Sequence, residues 1–349
     1  MNIENPNAWL ANLCCPSCGS RLQSDDNELN CAKCDRRWPV KDGVPMFVPS
    51  FPYWGEISQE AMTEVLRAAP ASWRDALLHS PDPNVTRASE MILNLDRANW
   101  CLLTDLPPES RVLDLGAGMG ANSHALAKRY REVVAVEPVA ERTQFMTERF
   151  RQEGLPNVRI VQTSLWDLPF PDGSFDLIVM NGVLEWVAQG REGDPREIQL
   201  SALRRAARLL RPGGVLYLGV ENRFAIGQLL GHPDPLTRLP WVSILPRPLA
   251  HRYARQKGDP EGYRCYLYSA AGYRKLLREA GYGATEAYVA APSHDRPRFY
   301  VPLDNICFSY FKRTFGAPPN SWWEGLRASI SRLGATKHLE NSFAFLAVK

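Results

Sequence analysis

From Val112 to Tyr130 the chain reads VLDLGAGMGANSHALAKRY. An apolar, strand-like run meets glycines at 116, 118 and 120, and a helix-like run follows. Strand, glycine turn and helix in that order let a backbone approach a nucleotide or nucleoside closely. The spacing separates two kinds of ligand. A dinucleotide turn has the form G-x-G-x-x-G, with the third glycine packing helix on strand. Here the spacing is G-x-G-x-G, and position 121 is Ala. Asp114 stands two residues before the first glycine. A carboxylate there repels a pyrophosphate and suits a ligand carrying an ammonium group. Glu137 closes the next apolar run, EVVAVE, about 20 residues on, where an acid can accept ribose hydroxyls from either ligand.

Around this turn the pattern alternates. RVLDLG, EVVAVEP, VRIVQT, FDLIVMNG and GVLYLGV read as strands. ANSHALAKRY, RTQFMTERFRQEG and IQLSALRRAARLL read as helices between them. Strands alternating with helices predict an α/β fold with a doubly wound, mostly parallel sheet. After Glu221 the rhythm breaks into a stretch rich in Pro, aromatic and basic residues, read as an inserted lid over about 222–268. It resumes with SAAGYRKLLREAG and ATEAYVAAP, and a second insertion is expected over about 295–332, including a helix in SWWEGLRASISRLG. NSFAFLAVK is expected to close the sheet at its edge. Upstream, residues 57–104 carry helical periodicity, with Ile92, Leu95, Trp100 and Leu103 predicted on one apolar stripe. The expected organisation is therefore 1–50, a small cysteine module; 51–108, a linker and helical cap; and 109–349, the ligand-binding domain with its two insertions.

Five of the eight cysteines fall before residue 35. CPSC supplies Cys15 and Cys18, and CAKC supplies Cys31 and Cys34. Two Cys-x-x-Cys turns can direct four thiolates at one tetrahedral zinc ion, and four sulfurs leave no open position for catalysis. Metal binding would fold this segment, which has too little apolar surface to fold alone. Cys14 is the spare. The segment through WPVKDGVPMFVP resembles the zinc ribbon of small Trm112-like proteins, partners of methyltransferases.

The central region resembles the class I S-adenosylmethionine-dependent methyltransferases, especially their small-molecule branch. VLDLGAGMG, AVEP, LPFPDGSFDLIVMNGVLEWV and LRRAARLLRPGGVLYL carry the likeness in order and spacing. S-adenosylmethionine bears an ammonium and no phosphate, as the charge at Asp114 asks. The resemblance implies that Gly116, Gly118 and Gly120 let the backbone approach the methionine part and that Glu137 holds the ribose. It places Ser164 and Leu165 at the adenine and Asn181 near the sulfonium. The family has Asp where Ser164 stands, which makes Asp167 a displaced candidate.

Methyl transfer from a sulfonium is an in-line displacement in which the protein aligns the nucleophile and excludes water. The acceptor is expected to be a small molecule or a glycan or natural-product intermediate, anionic or sugar-linked, methylated on oxygen. His232, His251 and Glu185 are the candidate bases, His232 and His251 ranking above His294. An RNA-directed enzyme gripping phosphate through Arg21, Lys33, Arg36 and Arg37 of the ribbon is the alternative, and a non-catalytic cofactor-binding module a second. The net charge of +3 in 349 residues does not by itself argue for nucleic acid. No apolar run reaches the roughly 20 residues of a membrane span, and no secretory leader is visible, so a cytoplasmic location is expected. Oligomeric state is not legible.

Overall fold

The cysteine module folds on its own short strands. The computed structural model describes residues 8–25, 27–48, 51–53, 57–315 and 335–349. The chain divides into two compact units, 1–179 with 208–214, and 180–207 with 215–349.

In the first unit, β1 (Gln23–Ser24), β2 (Glu28–Cys31), β3 (Arg36–Lys41) and β4 (Val44–Pro45) form an antiparallel sheet in sequential order. Alternation turns Leu29 and Cys31 of β2, and Trp38 and Val40 of β3, to the inside. Each cysteine turn closes on a left-handed residue. Gly19 (φ +72°) donates its N–H to the Cys15 carbonyl, and Asp35 (φ +52°) donates to that of Cys31. Past β4 the chain runs beside β7 (Val158–Gln162). The N–H groups of Phe47 and Val48 both donate to the Gln162 carbonyl, at 2.9 and 3.4 Å, and the Gln162 side chain donates to the Val48 carbonyl at 2.9 Å. Val44 packs with Ala135, Met146, Phe150 and Ile160.

Three helices follow: α1 (Gln59–Ala68), α2 (Trp73–Leu78) and α3 (Pro83–Leu93). Ser58, Ser72 and Asp82 cap their N-termini, and Pro83 occupies the first turn of α3 where its missing N–H costs nothing. Their apolar faces, including Met62, Val65, Trp73, Leu77, Val85 and Ile92, share one core with Phe145. The expected continuous stripe does not form. Asn94 leaves the helical region and caps Asp96, and a 3₁₀ stretch runs from Leu95 to Leu103. With about three residues per turn instead of 3.6, the faces drift apart. Trp100 is buried while Leu103 is exposed.

The sheet of this unit has the order β8-β5-β6-β7, with β5 (Arg111–Leu115), β6 (Glu132–Glu137) and β7 paired in parallel. Helices α4 (Ala121–Ala127) and α5 (Ala140–Gln152) are the crossovers. Strand β8 (Phe175–Asn181), helix α6 (Pro195–Leu209) and strand β9 (Leu210–Glu221) each contribute residues to both units. The α/β fold expected from the alternation is thus formed.

The second unit holds α7 (Ile226–Leu229), α8 (Arg247–Gln256), α9 (Ala270–Glu279), β10 (Thr285–Ala291), β11 (Phe299–Pro302), α10 (Asn305–Phe315) and β12 (Ser342–Val348). Its strands run β9-β12-β10-β11, antiparallel throughout. Strand β12 is therefore interior, and the edge belongs to β11, inside the stretch read as an insertion. Every β12 residue from Ser342 to Leu346 is buried, which an edge position would not require. The 222–268 stretch has its own core of Val242, Ala250, Ala254, Tyr263 and Cys265. The helix expected in 321–334 lies outside the described residues. No described helix is long and apolar enough to cross a membrane.

Candidate cofactor and metal sites

The Sγ atoms of Cys15, Cys18, Cys31 and Cys34 all lie within 4.8 Å of one another. Sulfurs of a tetrahedral zinc site, at about 2.3 Å from the ion, stand about 3.8 Å apart. The set fits zinc, and the four residues named from the spacing are the four brought together. Cys14 is outside the cluster. It is buried, its N–H donates to the Pro169 carbonyl, and burial pushes its thiol up to about 11.

The glycine turn begins where Gly116 and Ala117 both donate to the Val136 carbonyl at 2.9 Å. Gly116, Gly118 and Gly120 all have positive φ, at +69°, +58° and +80°. Such angles favour glycine for backbone reasons alone. The three differ in what surrounds them. A side chain on Gly118 would meet open space. One on Gly120 would come within 2.6 Å of the Phe150 ring, so its bareness serves helix packing. That is the role the third glycine of a dinucleotide turn plays one residue later.

Glu137, at the tip of β6, is 3% exposed. One carboxylate oxygen accepts the Gly118 N–H at 2.9 Å and the other the Val139 N–H at 3.1 Å. Arg142 Nη1 lies 3.9 Å from the oxygen that faces Val139. Asp114 is buried and accepts the Ser123 hydroxyl at 2.6 Å. Burial raises its carboxyl to about 6, against the pull of Ser123. After β7, Ser164 donates to Asp167 at 2.6 Å and accepts the Trp166 N–H. A carboxylate three residues along is thus hydrogen-bonded to the serine. Leu165 is half-buried beside them.

In the second unit, Asn181 is committed to a histidine. Its amide N–H₂ donates to the His294 carbonyl at 3.3 Å, and its Oδ1 lies 2.8 Å from His294 Nδ1. The amide orientation makes Oδ1 the acceptor, so Nδ1 carries a proton and Nε2 is the nitrogen that titrates. Nε2 faces Glu221 at 3.4 Å. Burial lowers the His294 pKa, but Glu221, Glu185 and Asp295 outweigh it and the net direction is up. Glu185 is buried; Oε1 accepts the Glu221 N–H at 3.0 Å, and among the described residues Oε2 has no hydrogen-bond partner. Burial raises its carboxyl. Gly182 and Gly219 make room: a Cβ on Gly182 would sit 3.0 Å from the His294 ring, and one on Gly219 2.2 Å from Asn181 Oδ1. This group can take up and hold a proton.

Of the three candidate bases, only Glu185 belongs to it. His232 is exposed after α7, against Gly227, and His251 on α8 packs on Gly262. The histidine that pairs with Asn181 is His294, ranked below them. No local motif announces it, because 113 residues separate it from Asn181. The arginines of the insertion also divide. Arg252 and Arg255 are exposed, whereas Arg247 lies over the rings of Tyr263, Tyr266 and Tyr268. Arg247 Nη2 donates to the Leu267 carbonyl, and among the described residues Nη1 has no hydrogen-bond partner.

Residues 113–218 match the family described as methyltransferase domain, and residues 10–43 match Trm112p-like protein. An uncharacterized methyltransferase, YcgJ of Bacillus subtilis, is 32% identical over 30% of this chain and 38% of its own length. Malonyl-[acyl-carrier protein] O-methyltransferase of Halorhodospira halophila is 32% identical over 41% of this chain and 43% of its own. The chain thus spans less than half the length of these curated relatives. Among solved structures, a complex between the Haloferax volcanii Trm112 methyltransferase activator and the putative methyltransferase covers 82% of this chain and 97% of that one, at 19% identity and a TM-score of 0.43. The chain carries a methyltransferase domain over residues 113–218. Ahead of it, in the same polypeptide, stands a Trm112-like zinc ribbon.

Proposed function

We propose that this protein is an S-adenosylmethionine-dependent methyltransferase that methylates an oxygen of a small molecule or of a glycan or natural-product intermediate. The observation that carries this reading is the pair of buried carboxylates at the glycine turn: Glu137, which accepts the Gly118 N–H, and Asp114, on the strand that leads into the turn. The cofactor supplies an electrophilic methyl group; the chain's residues bind, orient and handle protons. Gly116 and Gly118 admit the amino-acid end of the cofactor, Glu137 accepts the ribose hydroxyls, and Asp167 with Ser164 and Leu165 faces the adenine. Asp114 favours the ammonium. We assign His294, with Glu221 and Glu185 around it and Asn181 fixing the ring, as the second unit's candidate proton acceptor.

The charge at Asp114 makes the reading testable by pH. Its carboxyl titrates near 6 because burial disfavours ionisation, and a bound ammonium favours it. S-adenosylhomocysteine, titrated calorimetrically, should therefore bind with constant affinity above pH 6 and lose roughly tenfold per unit below it, since each protonated Asp114 must first ionise. Asp114→Asn should flatten that limb. The same raised value runs the other way for the empty protein: stability present below the unfolded carboxyl's pKa is lost as pH rises through about 6. Failure of the wild-type protein to bind S-adenosylhomocysteine, or preferential binding of NADH, would reject the assignment. Steeply salt-dependent binding to RNA would favour the RNA-directed alternative.

A further inference from the structure

Helix α5 carries an arginine where an amphipathic helix would place an apolar residue. Arg149 is wholly buried. Its Nη1 donates to two carbonyls, those of Met119 at 2.8 Å and Ile92 at 3.1 Å. Its Nε donates to His124 Nδ1 at 3.3 Å, and its guanidinium lies 4.4 Å from the centre of the Trp73 ring. These four partners belong to four segments. Met119 lies between Gly118 and Gly120 in the cofactor turn, and His124 is in α4, which the turn launches. Ile92 is in the last turn of α3, where carbonyls lack helical partners. Trp73 opens α2 and is anchored twice more to α5, its N–H groups donating to Gln152 and Glu153.

The acceptors are carbonyls and an imidazole, and burying a guanidinium among such groups is costly. Burial, followed by Arg149 itself, holds His124 down to about 4. The imidazole is therefore neutral across the physiological range and its Nδ1 is free to accept. Leucine or methionine would fill this space at lower cost, but neither could hold the Met119 carbonyl.

We propose that Arg149 is a positioning residue for cofactor binding: it fixes the Met119 peptide, and with it the Gly118 N–H opposite Glu137, and it ties the α1–α3 cap to the same turn. The inference rests on the cofactor reading above. Its consequence is that occupancy of the turn is felt by the cap. The turn's peptide, the end of α3 and the face of Trp73 share one rigid planar group, and the Met119 side chain packs against the cap's apolar core. Lysine could keep the charge and donate to a carbonyl, but it has no planar face to stack on the indole and no Nε to reach His124 at the same time.

The test is calorimetric titration of S-adenosylhomocysteine into Arg149→Met and Arg149→Lys, well below their melting temperatures, with amide hydrogen exchange followed with and without ligand. Loss of the charge-assisted bond to the turn should weaken binding by about tenfold or more in Arg149→Met, and less in Arg149→Lys. In the wild type, ligand should slow exchange in residues 116–120 and also in 59–93. In Arg149→Lys the protection should stay at the turn and no longer reach the cap. Should Arg149→Met fail to fold, the exchange pattern of Arg149→Lys decides alone. Wild-type affinity in the methionine variant, or cap protection unchanged in the lysine variant, would overturn the proposal. A wild-type protein that does not bind S-adenosylhomocysteine would instead defeat the cofactor assignment, and the two failures cannot be confused.

Discussion

Changing Cys31 to serine should release the zinc and unfold the ribbon. Cys31 is buried at the end of β2, with its sulfur 3.6 Å from that of Cys18. The ribbon's interior beyond the cysteines is small, chiefly Leu10, Leu13, Leu22, Leu29, Trp38 and Val40. A structural zinc site contributes about 10–16 kcal/mol, as much as the whole net stability of an ordinary domain. A core of that size cannot replace it. Elemental analysis should find one zinc ion per wild-type chain and none in Cys31→Ser, with exchange protection lost across residues 8–48. Substitution of Cys14, which lies outside the sulfur cluster, should leave the metal in place. A metal-free wild-type protein that keeps a protected ribbon would refute this.

Glu137→Ala should abolish most of the affinity for S-adenosylhomocysteine while the sheet survives. The carboxylate would accept both ribose hydroxyls, each as a charge-assisted bond worth about 1.5–3 kcal/mol. Removing both amounts to about 3 kcal/mol or more, a loss on the order of 150-fold in affinity. The variant also strips the Gly118 and Val139 N–H groups of their acceptor, so the turn loosens. Glu137→Gln separates the two effects. It keeps one acceptor and most of the shape, and should lose about tenfold. Strand β6 is held on both sides by β5 and β7, so neither change should unfold the unit. Unchanged affinity in Glu137→Ala would mean that the ribose lies elsewhere.

Both candidate sites could be proposed from sequence because their residues come from short segments. Two turns bring four sulfurs together, and one strand–turn–helix presents the glycines with Asp114. The parallel strands were legible for a similar reason: each is a short apolar run followed by its own helix. Legibility failed where a distant segment determines the outcome. Nothing near His294 marks it, since its partners Asn181 and Glu221 arrive through strand order. Strand β12 reads locally as an edge strand, yet antiparallel pairing sets it between β9 and β10. The break at Asn94 went unseen because Ile92 and Trp100 satisfy helical spacing while a capping side chain overrides it. Arg149 looks in sequence like one more charge on the exposed face of a helix.

The run of chain past β4 lies along β7, the last strand of the main sheet on that side. An outer strand with open peptide groups is a template for joining other molecules edge to edge. Trimming the protein to begin after residue 48 would uncover Gln162 and the apolar patch around Ile160 together. Such a fragment would keep the residues assigned to chemistry and yet be prone to clump. Here the metal guards solubility as well as shape.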